Sequence, residues 1–156
     1  MKKIKLTKGK VAIIDDDFYD SLNKYFWHCT KQGYAARRHT YEKGKNKIIL
    51  MHRIIMNCPD DLLIDHINKN PLDNRRINLR ICNKSQNAMN SKIASNNTSG
   101  FRGVKWYKPG QKWYVSIKVM RKDIYLGLFK NKKDGAIAYN KAAKEYYGEF
   151  AYLNKV

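Results

Sequence analysis

The sequence predicts an α+β protein made of two small domains, and three observations support this prediction. The 156 residues are 43% apolar and 12% aromatic, which is enough for compact cores. The second half contains three strand-like runs followed by a helical pattern, whereas short strands and short helices mix in the first half. The stretch 94–99, "ASNNTS", is small and polar like a linker. We therefore predict one domain over residues 1–93 and a second over residues 100–156.

The first half is predicted to open with a strand over "GKVAIID" (Gly9–Asp15). Asp15, Asp16 and Asp17 then suit the start of a helix that extends to Tyr25, because carboxylates favour the positive N-terminal end. Metal binding by these three carboxylates is the alternative. "GYAARRHTY" and "KNKIILMH" are predicted to form a hairpin joined near "EKGKN", where Gly and Asn favour a turn. "MHRIIM" follows as a short helix.

The second half is predicted to form a three-stranded antiparallel meander. Its strands are "FRGVKWY", "KWYVSIKV" and "KDIYLGLF", separated by the turns "KPGQ" and "MR". The residues of the middle strand alternate between a face predicted to be buried and a face predicted to be wet and basic. The buried set is Trp113, Val115, Ile117 and Val119, and the wet set is Tyr114, Ser116 and Lys118. The meander therefore keeps one face available for binding.

A helix is predicted after the meander. Asn131 is a suitable N-cap, and Asp134 follows at the capping-box spacing. The face predicted to lie on the sheet recurs at helical spacing through Ala136, Tyr139, Ala142 or Ala143, and Tyr146. Gly148 is predicted to end the helix.

The charge of the chain points to a polyanionic partner. Thirty-two Lys and Arg against 13 Asp and Glu give a formal net charge of +19, which attracts nucleic acid. The sequence shows no apolar run of membrane-spanning length and no signal-peptide pattern after the N-terminal lysines, so we expect a cytoplasmic protein without membrane contact. Cys29, Cys58 and Cys82 form no C-x-x-C pair, so we expect reduced thiols with no disulfide partner.

The stretch "IDHINKNPLDNRRINLRICNKSQN" (Ile64–Asn87) places an aspartate beside a histidine. An imidazole, with an ordinary pKa of about 6.5, can accept a proton from water at neutral pH. A carboxylate and an amide oxygen are ligands that suit Mg²⁺, and Asp65 and Asn87 supply them. Adjacent strand residues point to opposite faces, so Asp65 and His66 converge only if the strand bends or ends there. Asn78 is predicted to clamp the intervening loop.

The ordered set "DHIN", "LDNRRINLR" and "SQNAMN" resembles the HNH endonuclease family over roughly residues 50–90. The resemblance implies a ββα-metal fold, in which two strands and a helix surround one divalent ion. By motif it makes His66 the general base, Asn78 the loop-stabilising residue, and Asp65 and Asn87 the metal ligands. Because the motif ends in Asn87 where many members have histidine, the implied ion is Mg²⁺ or Mn²⁺ rather than zinc, with one ion per active site.

Other cations and histidines of the first half are interpreted around this motif. His52 and Arg53 resemble the "HR" that precedes it in the family, and His52 is expected either to brace the fold or to act in the chemistry. Contacts to DNA are expected from Arg53, Arg75 and Arg76. His28 and His39 are expected to be incidental.

"FRGVKWY", "KWYVSIKV", "IYLGLF" and "NKKDGAIAYNKAAKEYYGEFAYLN" resemble the plant ethylene-response-factor DNA-binding domain over nearly all of residues 99–154. That family inserts its exposed sheet face into the major groove, where base edges are distinguishable. Mapped by strand, the resemblance implies DNA contacts by Arg102, Lys105, Tyr107, Lys118 and Tyr125. Family members often have arginine in place of Lys105 and Lys118, and lysine lacks the planar guanidinium fork, so the family's target sequence is not expected to transfer. Trp106 and Trp113 are expected to pack rather than to stack on bases.

Together, the two resemblances predict a homing-type, metal-dependent endonuclease acting on double-stranded DNA. The fold they imply is a ββα-metal module preceded by a small α/β segment, plus a C-terminal three-stranded sheet packed on one helix. One base and one ion per chain predict a monomer that nicks one strand. The alternative is an inactive DNA-binding regulator or architectural protein, which the joint presence of the four motif residues disfavours. RNA binding is a third class that rests on charge alone.

Overall fold

The computed structural model describes residues 1–41 and 44–156. The chain divides into two compact units, Met1–Asn87 and Ala88–Val156, and each buries its own core. The turn predicted near "EKGKN" includes Glu42 and Lys43, which lie outside the described residues. The helices of the described ranges include none with both the length and the apolar character that a bilayer span requires.

In the described part of the chain, the first unit contains three small antiparallel sheets. β1 (Lys2–Lys5) pairs with β2 (Val11–Ile14), β4 (Ala35–Tyr41) lies between β3 (His28–Cys29) and β5 (Lys45–Leu50), and β6 (Leu63–His66) pairs with β7 (Leu79–Cys82). The β4–β5 pair confirms the predicted hairpin strands, and β2 occupies the middle of the first predicted strand. β1 is not evident in the sequence, because Ile4 is the one apolar residue among its lysines.

Three short helices complete the pattern of this unit, within the described residues. They are α1 (Tyr19–Asn23), α2 (Met51–Ile55) and α3 (Lys84–Met89). α2 confirms the helix predicted at "MHRIIM", whereas α1 ends before Tyr25. The core that the sheets and helices bury includes Ile4, Ile14, Leu22, Trp27, Met51 and Leu79. The apolar residues of all three sheets thus share one core, which positions the β6–β7 pair against the rest of the unit.

The three consecutive aspartates do not cap a helix through their side chains, which corrects the sequence-based expectation. A short 3₁₀ turn at Asp16–Phe18 precedes α1, and Asp15 before it makes no side-chain capping bond. Instead, the Asp15 carboxylate accepts a hydrogen bond from the backbone N–H of Arg76 at 2.7 Å. Asp16 pairs with the N-terminal amine, and Asp17 pairs with the Arg76 guanidinium. The carboxylates therefore tie the end of β2 to the loop before β7.

The second unit is a three-stranded antiparallel sheet in the order β10–β9–β8, covered by one long helix. The elements are β8 (Val104–Tyr107), β9 (Lys112–Val119), β10 (Lys122–Phe129) and α4 (Lys132–Tyr147). The predicted meander and helix are both present. Gly103 has a positive φ of 77°, and a Cβ there would collide with the Tyr139 ring, so glycine permits both the turn into β8 and the close approach of α4.

Two burial predictions for this unit are wrong, while its caps are as expected. Asn131 accepts a hydrogen bond from the Lys133 backbone N–H at 2.9 Å, and Gly148 ends α4 with a positive φ. Tyr147 rather than Tyr146 is buried, because it lies four residues after the buried Ala143 and its hydroxyl donates to a backbone carbonyl of β9.

Ser116 is the second difference, since it lies on the face predicted to be wet but is buried. Tyr125 lies directly opposite Ser116 on β10. The backbone N–H of Ser116 donates to the Gly103 carbonyl at 3.0 Å. Neighbours from both sides therefore cover a residue whose strand position alone predicts exposure.

Candidate active site

The motif predicted to carry the chemistry folds as the β6–β7 hairpin, whose strands are joined by residues 67–78. Asp65 lies opposite Arg80 and His66 lies opposite Leu79. His66 is the last residue of β6, and the exposed fractions of Asp65 and His66 are only 7% and 5%. Arg80 donates to the Asp65 carboxylate, whereas Nε2 of His66 lies 3.4 Å from the amide oxygen of Asn74. The two side chains therefore have different surroundings.

The Asp65 carboxylate forms a buried ion pair with Arg80. Nε and Nη2 of Arg80 donate to Oδ2 of Asp65 at 2.8 and 2.6 Å. Charge-assisted hydrogen bonds of this kind are strong, and loss of one partner from a buried pair is costly. Arg80 therefore orients the carboxylate that the sequence predicted as a metal ligand, although the sequence analysis did not identify Arg80 itself.

The His66 imidazole lies in a cluster of rings. Its centroid is 5.8 Å from that of Tyr34 and 5.2 Å from that of His52, and the Tyr34 and His52 rings meet edge to face at 5.2 Å. Nε2 of His66 lies 3.4 Å from Oδ1 of the fully buried Asn74. His52 is also buried, and its Nδ1 has no hydrogen-bond partner among the described residues. Packing from α2, the residue before β4 and the loop therefore holds the His66 ring.

Burial lowers the pKa of both imidazoles. For His66 the lowering by burial is opposed by the loop amide and by nearby carboxylates, and the pKa stays below its ordinary value. For His52, burial and then the charges of His66 and Arg53 lower the pKa to about 3. Both rings are therefore neutral at pH 7. A neutral His66 has a nitrogen lone pair that can accept a proton.

Asn78 ties together the two ends of the loop between β6 and β7. Its Oδ1 accepts from the backbone N–H of Asn68 at 2.9 Å, and its Nδ2 donates to the Asp73 carbonyl at 2.8 Å. Its own carbonyl accepts from the backbone N–H of Ile67 at 2.9 Å. These bonds give Asn78 the geometry of a loop clamp and hold the backbone immediately after His66.

Asp73 is a second anchor of this loop, and the sequence analysis did not identify it. Its carboxylate accepts from Nε and Nη2 of Arg75 at 2.7 and 2.6 Å, and from Nδ2 of Asn68 at 2.9 Å. The hydrogen bonds from Arg75 hold the pKa of the Asp73 carboxyl below its usual range. An aspartate two residues before an arginine in "DNRR" is the local signal that could have revealed this pair.

Strand β2 supports the same loop from the other side. The Ile13 N–H donates to the Leu72 carbonyl and the Ile13 carbonyl accepts from the Asn74 N–H, both at 2.8 Å. These bonds form a parallel bridge between Ile13 and Asp73. β2 therefore holds Asn74 in place beside the His66 ring, which explains why the N-terminal hairpin belongs to the same unit as the motif.

Asn87 lies half-buried on α3, the helix that follows β7, with its backbone N–H donating to the Asn83 carbonyl at 3.0 Å. The predicted ligand pair of Asp65 and Asn87 consists of oxygen donors, which suit Mg²⁺, an ion that accepts few protein ligands and keeps several waters. No group of three or more His, Cys, Asp or Glu side chains is placed to hold a metal within residues 1–41 and 44–156. The donor chemistry thus fits a magnesium-type ion rather than a structural zinc.

The three arginines of the first unit that were expected to contact DNA all have protein partners. Arg53 donates to backbone carbonyls within residues 58–62 at 2.6 to 3.2 Å. Arg75 is bound to the buried carboxylate described above, and Arg76 forms an exposed ion pair with Asp17 at 3.0 Å. Arg53 and Arg75 therefore hold parts of the fold through these bonds and Arg76 remains on the surface, while contact with DNA stays a prediction for all three.

Arg102 also differs from its expected position. Its guanidinium donates to the backbone carbonyls of Ala88, Met89 and Ser91 at 2.8 to 3.0 Å and lies 5.7 Å from the ring centroid of Tyr152. Arg102 precedes β8, so the strand alternation used to predict its direction does not apply to it. The residue holds the start of the second unit, and it also lines a cleft of about 260 Å³ with Lys105 and Lys118 of the sheet face.

The other four residues expected to contact DNA share the exposed face of this sheet. These are Lys105, Tyr107, Lys118 and Tyr125. On the same face, the Tyr114 and Tyr125 rings lie 5.1 Å apart. Trp106 and Trp113 lie on the other face and pack edge to face at 5.0 Å, in line with the expectation that they pack.

Comparison with known proteins places these elements in a family. The sequence profile of the HNH endonucleases matches residues 51–89, which include α2, the β6–β7 hairpin and α3. An uncharacterized HNH endonuclease of Acanthamoeba polyphaga mimivirus is 32% identical over 158 aligned positions, which cover 96% of this chain and 77% of that protein. Protein 3.8 of Escherichia phage T7 is 40% identical over 59 positions, 38% of this chain and 49% of that protein. No solved structure matches significantly.

The similarity to the mimivirus protein extends over nearly the whole chain, so it includes both units rather than the motif alone. The family profile, in turn, covers the segment that contains the buried Asp65–Arg80 pair and the His66 ring cluster. The chain therefore belongs to the HNH endonuclease family, and it is a DNA endonuclease.

Proposed function

We propose that this chain is a site-specific, homing-type DNA endonuclease that requires a divalent metal ion and nicks one strand as a monomer. The observation that carries the proposal is the family match over residues 51–89, because that segment contains the predicted base and both predicted metal ligands. HNH nucleases generally use a divalent metal ion. The ion proposed here is Mg²⁺ or Mn²⁺, one per active site, because the donors are oxygen atoms.

His66 is the proposed general base, which takes a proton from the attacking water. Its ring is neutral at pH 7 because burial lowers its pKa, and a neutral ring is the form that can act. In the tautomer that donates Nε2–H to the Asn74 amide oxygen, Nδ1 carries the lone pair. Tyr34, His52 and Asn74 are then positioning residues, because they hold the ring by packing and hydrogen bonding.

Asp65 and Asn87 are the proposed ligands of the ion. When bound, such an ion supplies positive charge beside the scissile phosphate. Arg80 supports this role because its two hydrogen bonds orient the Asp65 carboxylate. Asn78 supports the base, because its loop bonds hold the backbone that follows His66.

The second unit (Ala88–Val156) is proposed to contain an ethylene-response-factor-like domain that locates the target. This domain is proposed to cover residues 100–156, after a nuclease domain at 1–93 and a linker at 94–99. Its exposed sheet face carries two lysines and paired tyrosines, which suit a DNA groove. The proposed contacts are Lys105, Tyr107, Lys118 and Tyr125, with Arg76 as a phosphate contact from the first unit. Arg53, Arg75 and Arg102 stay proposed contacts as well, with guanidinium groups that are bonded within the fold, as that of Arg76 is.

A chain with one base and one ion serves one strand at a time, so the proposed product of a monomer is a nick. The relatives come from a virus and a phage. We propose accordingly that the chain acts in the cytoplasm of an infected host cell.

The test is the conversion of supercoiled plasmid to open circles by the purified full-length chain with Mg²⁺. Open circles that disappear with EDTA and with His66→Ala are the expected result, because the first removes the ion and the second removes the base. His39→Ala is the matched control, since His39 is exposed on β4, and it should nick like the parent chain. DNA binding without nicking under any divalent ion would contradict the proposal and support a DNA-binding regulator.

A further inference from the structure

A second surface of the first unit, formed by residues outside the β6–β7 hairpin, has a composition that the nuclease site does not explain. A cleft of about 470 Å³ is lined by Tyr25, Phe26, His28, Arg37 and Arg38. The Phe26 side chain is 80% exposed, so most of this large apolar ring faces solvent. Exposed aromatic rings of this size mark interaction sites when charged residues surround them.

The cleft exists because β3 is short. Within residues 1–41 and 44–156, β3 pairs with β4 only at Ala35 and Ala36, and β4 continues beyond it without a paired strand on that side. Tyr25 and Phe26 lie three and two residues before the start of β3, and they line the resulting gap beside Arg37. The fold therefore places an exposed aromatic pair next to the basic edge of a strand.

A second cleft, of about 460 Å³, adjoins the same aromatic pair. It shares Tyr25 and Phe26 with the first cleft and includes Lys3 and Lys5 of β1. Both lysines are exposed and lie on the same face of β1 because they are two residues apart. Each of the two clefts that Phe26 lines therefore also contains cationic side chains.

The arginines of this surface differ from the other arginines of the first unit. Four arginines of that unit bind a carboxylate or backbone carbonyls, namely Arg53, Arg75, Arg76 and Arg80. Among the described residues, neither Arg37 nor Arg38 pairs with a carboxylate. Arg37 instead stacks on Tyr25, with its guanidinium carbon 4.1 Å from the ring centroid. Their positive charge is thus not neutralised by the described part of the fold.

We propose that this surface binds single-stranded DNA, with an unpaired base stacked on Phe26 and the flanking phosphates bound by Arg37 and Arg38 in one cleft and Lys3 and Lys5 in the other. The inference rests on the proposed function in taking DNA as the ligand. Aromatic rings beside cations are the usual elements of single-strand binding, because a base has an apolar face and its backbone is anionic.

Two physical arguments favour a single strand over a duplex or an apolar protein segment. In a duplex, neighbouring base pairs cover the faces of each base, so a lone exposed ring has no base face to contact. An apolar protein segment would leave four cations beside it without partners, whereas a nucleic-acid strand supplies both the stacking face and the phosphates.

The test uses the full-length chain in EDTA, which prevents cleavage, and a single-stranded oligonucleotide of about 12 nucleotides with a central 2-aminopurine. Phe26→Ala should weaken binding by about 5- to 150-fold, which is the value of one base–aromatic stack, and should remove the quenching of 2-aminopurine. Phe26→Trp should retain both, because it preserves a stacking face. Ile48→Ala is the matched control, since Ile48 is exposed on β5 but lines neither cleft.

Binding of the same variants to a duplex of the same sequence shows whether a loss of affinity is specific to the single strand. A loss for Phe26→Ala that is several-fold smaller on the duplex supports the inference. An equal loss on both ligands, or no loss on the single strand, overturns it. Circular dichroism of Phe26→Ala accompanies the binding assay, and Phe26→Trp supplies the decisive comparison should the alanine variant not fold.

The single-strand binding assay and the plasmid-nicking assay can fail independently of each other. His66→Ala lacks the proposed base but keeps the Phe26 surface, so it should bind the single strand like the parent chain. Failure of the plasmid assay with intact, Phe26-dependent quenching would refute only the proposed function. Nicking with no Phe26-dependent binding would refute only the single-strand site.

Discussion

Arg80 and Arg76 each pair with an aspartate of the first unit, but the two pairs differ in their exposure to water. The Arg80–Asp65 pair is buried, with side-chain exposures of 11% and 9%, whereas more than half of each side chain is exposed in the Arg76–Asp17 pair. Removal of one partner leaves a charge inside the protein in the first case and in water in the second. The same chemistry therefore makes two different contributions to stability.

Replacement of each arginine by alanine measures this difference. Arg80→Ala should lower the free energy of unfolding by about 3 to 5 kcal/mol, because it removes the guanidinium from a buried carboxylate. Arg76→Ala, the matched control, should cost about 0 to 1 kcal/mol. Urea unfolding followed by circular dichroism measures both values. Equal costs for the two variants would show that burial does not govern these pairs.

His52 gives a prediction about pH. Burial lowers its pKa to about 3, so between the ordinary pKa of about 6.5 and that value the unfolded chain binds a proton that the folded chain does not. The free energy of unfolding should therefore fall as the pH is lowered through this window, by up to about 1.4 kcal/mol per pH unit for this group.

His52→Phe should reduce the change in the free energy of unfolding per pH unit, because it removes the titrating group while keeping a ring in the cluster. Urea unfolding at pH 7, 6 and 5 checks the prediction. His39→Phe, an exposed position on β4, should leave the pH dependence of the parent chain in place. An unchanged slope in His52→Phe would show that the acid sensitivity arises elsewhere, for example at His66.

At the scale of secondary-structure elements, Arg102 connects the start of the second unit to the turn before β8. Its guanidinium binds three backbone carbonyls in residues 88–91, and its backbone N–H donates to Oδ1 of Asn154 at 2.7 Å. One residue thus links both ends of the unit's sequence. The hydrogen bonds indicate a role in stability, whereas Lys105 on the exposed sheet face has the position expected of a DNA contact.

Alanine variants at these two positions should separate the two roles. Arg102→Ala should lower the free energy of unfolding by about 1.5 to 3 kcal/mol or more, because one hydrogen bond to a charged group contributes about that range and Arg102 makes several. It should weaken binding to all DNA sequences alike. Lys105→Ala should leave unfolding unchanged within about 0.5 kcal/mol, as expected of a surface substitution. A relaxed sequence preference in a stably folded Arg102→Ala would instead make it a base-reading residue.

The elements that the sequence predicted best are those with a regular pattern. β9, β10 and α4 are long and periodic, and Asn131 and Gly148 mark the ends of α4, so local rules suffice. The surroundings of the candidate site could not be predicted in this way. The pairing of Asp65 with Arg80 depends on the register of β6 and β7, and the contact of Tyr34 with His66 joins residues distant in sequence. Residue types at the site were visible, but the contacts that hold them come from tertiary structure.

At the scale of the whole molecule, the positive charge is spread over both units and is used in two ways. Some of the cations are bound within the fold, by the carboxylates or backbone carbonyls that contact Arg53, Arg75, Arg80 and Arg102. The remainder lies on surfaces such as the exposed sheet face, where Lys105 is exposed and Lys118 forms an exposed ion pair with Asp123 at 3.9 Å. The 32 Lys and Arg therefore outnumber the cations that are available to DNA.

The dependence of DNA affinity on salt measures that available number. Each phosphate neutralised on a duplex releases counterions, so the logarithm of affinity should fall with the logarithm of salt concentration with a slope of about −0.9 per phosphate. We expect contact with about six to eight phosphates and hence a slope of about −5 to −7. Lys105→Ala should reduce the slope by about 0.9, since it removes one exposed cation from the sheet face. Lys141→Ala removes an exposed cation from α4 and should leave the slope unchanged. A nearly flat salt response in the parent chain, or equal effects of the two lysines, would show that the sheet face is not where the duplex binds.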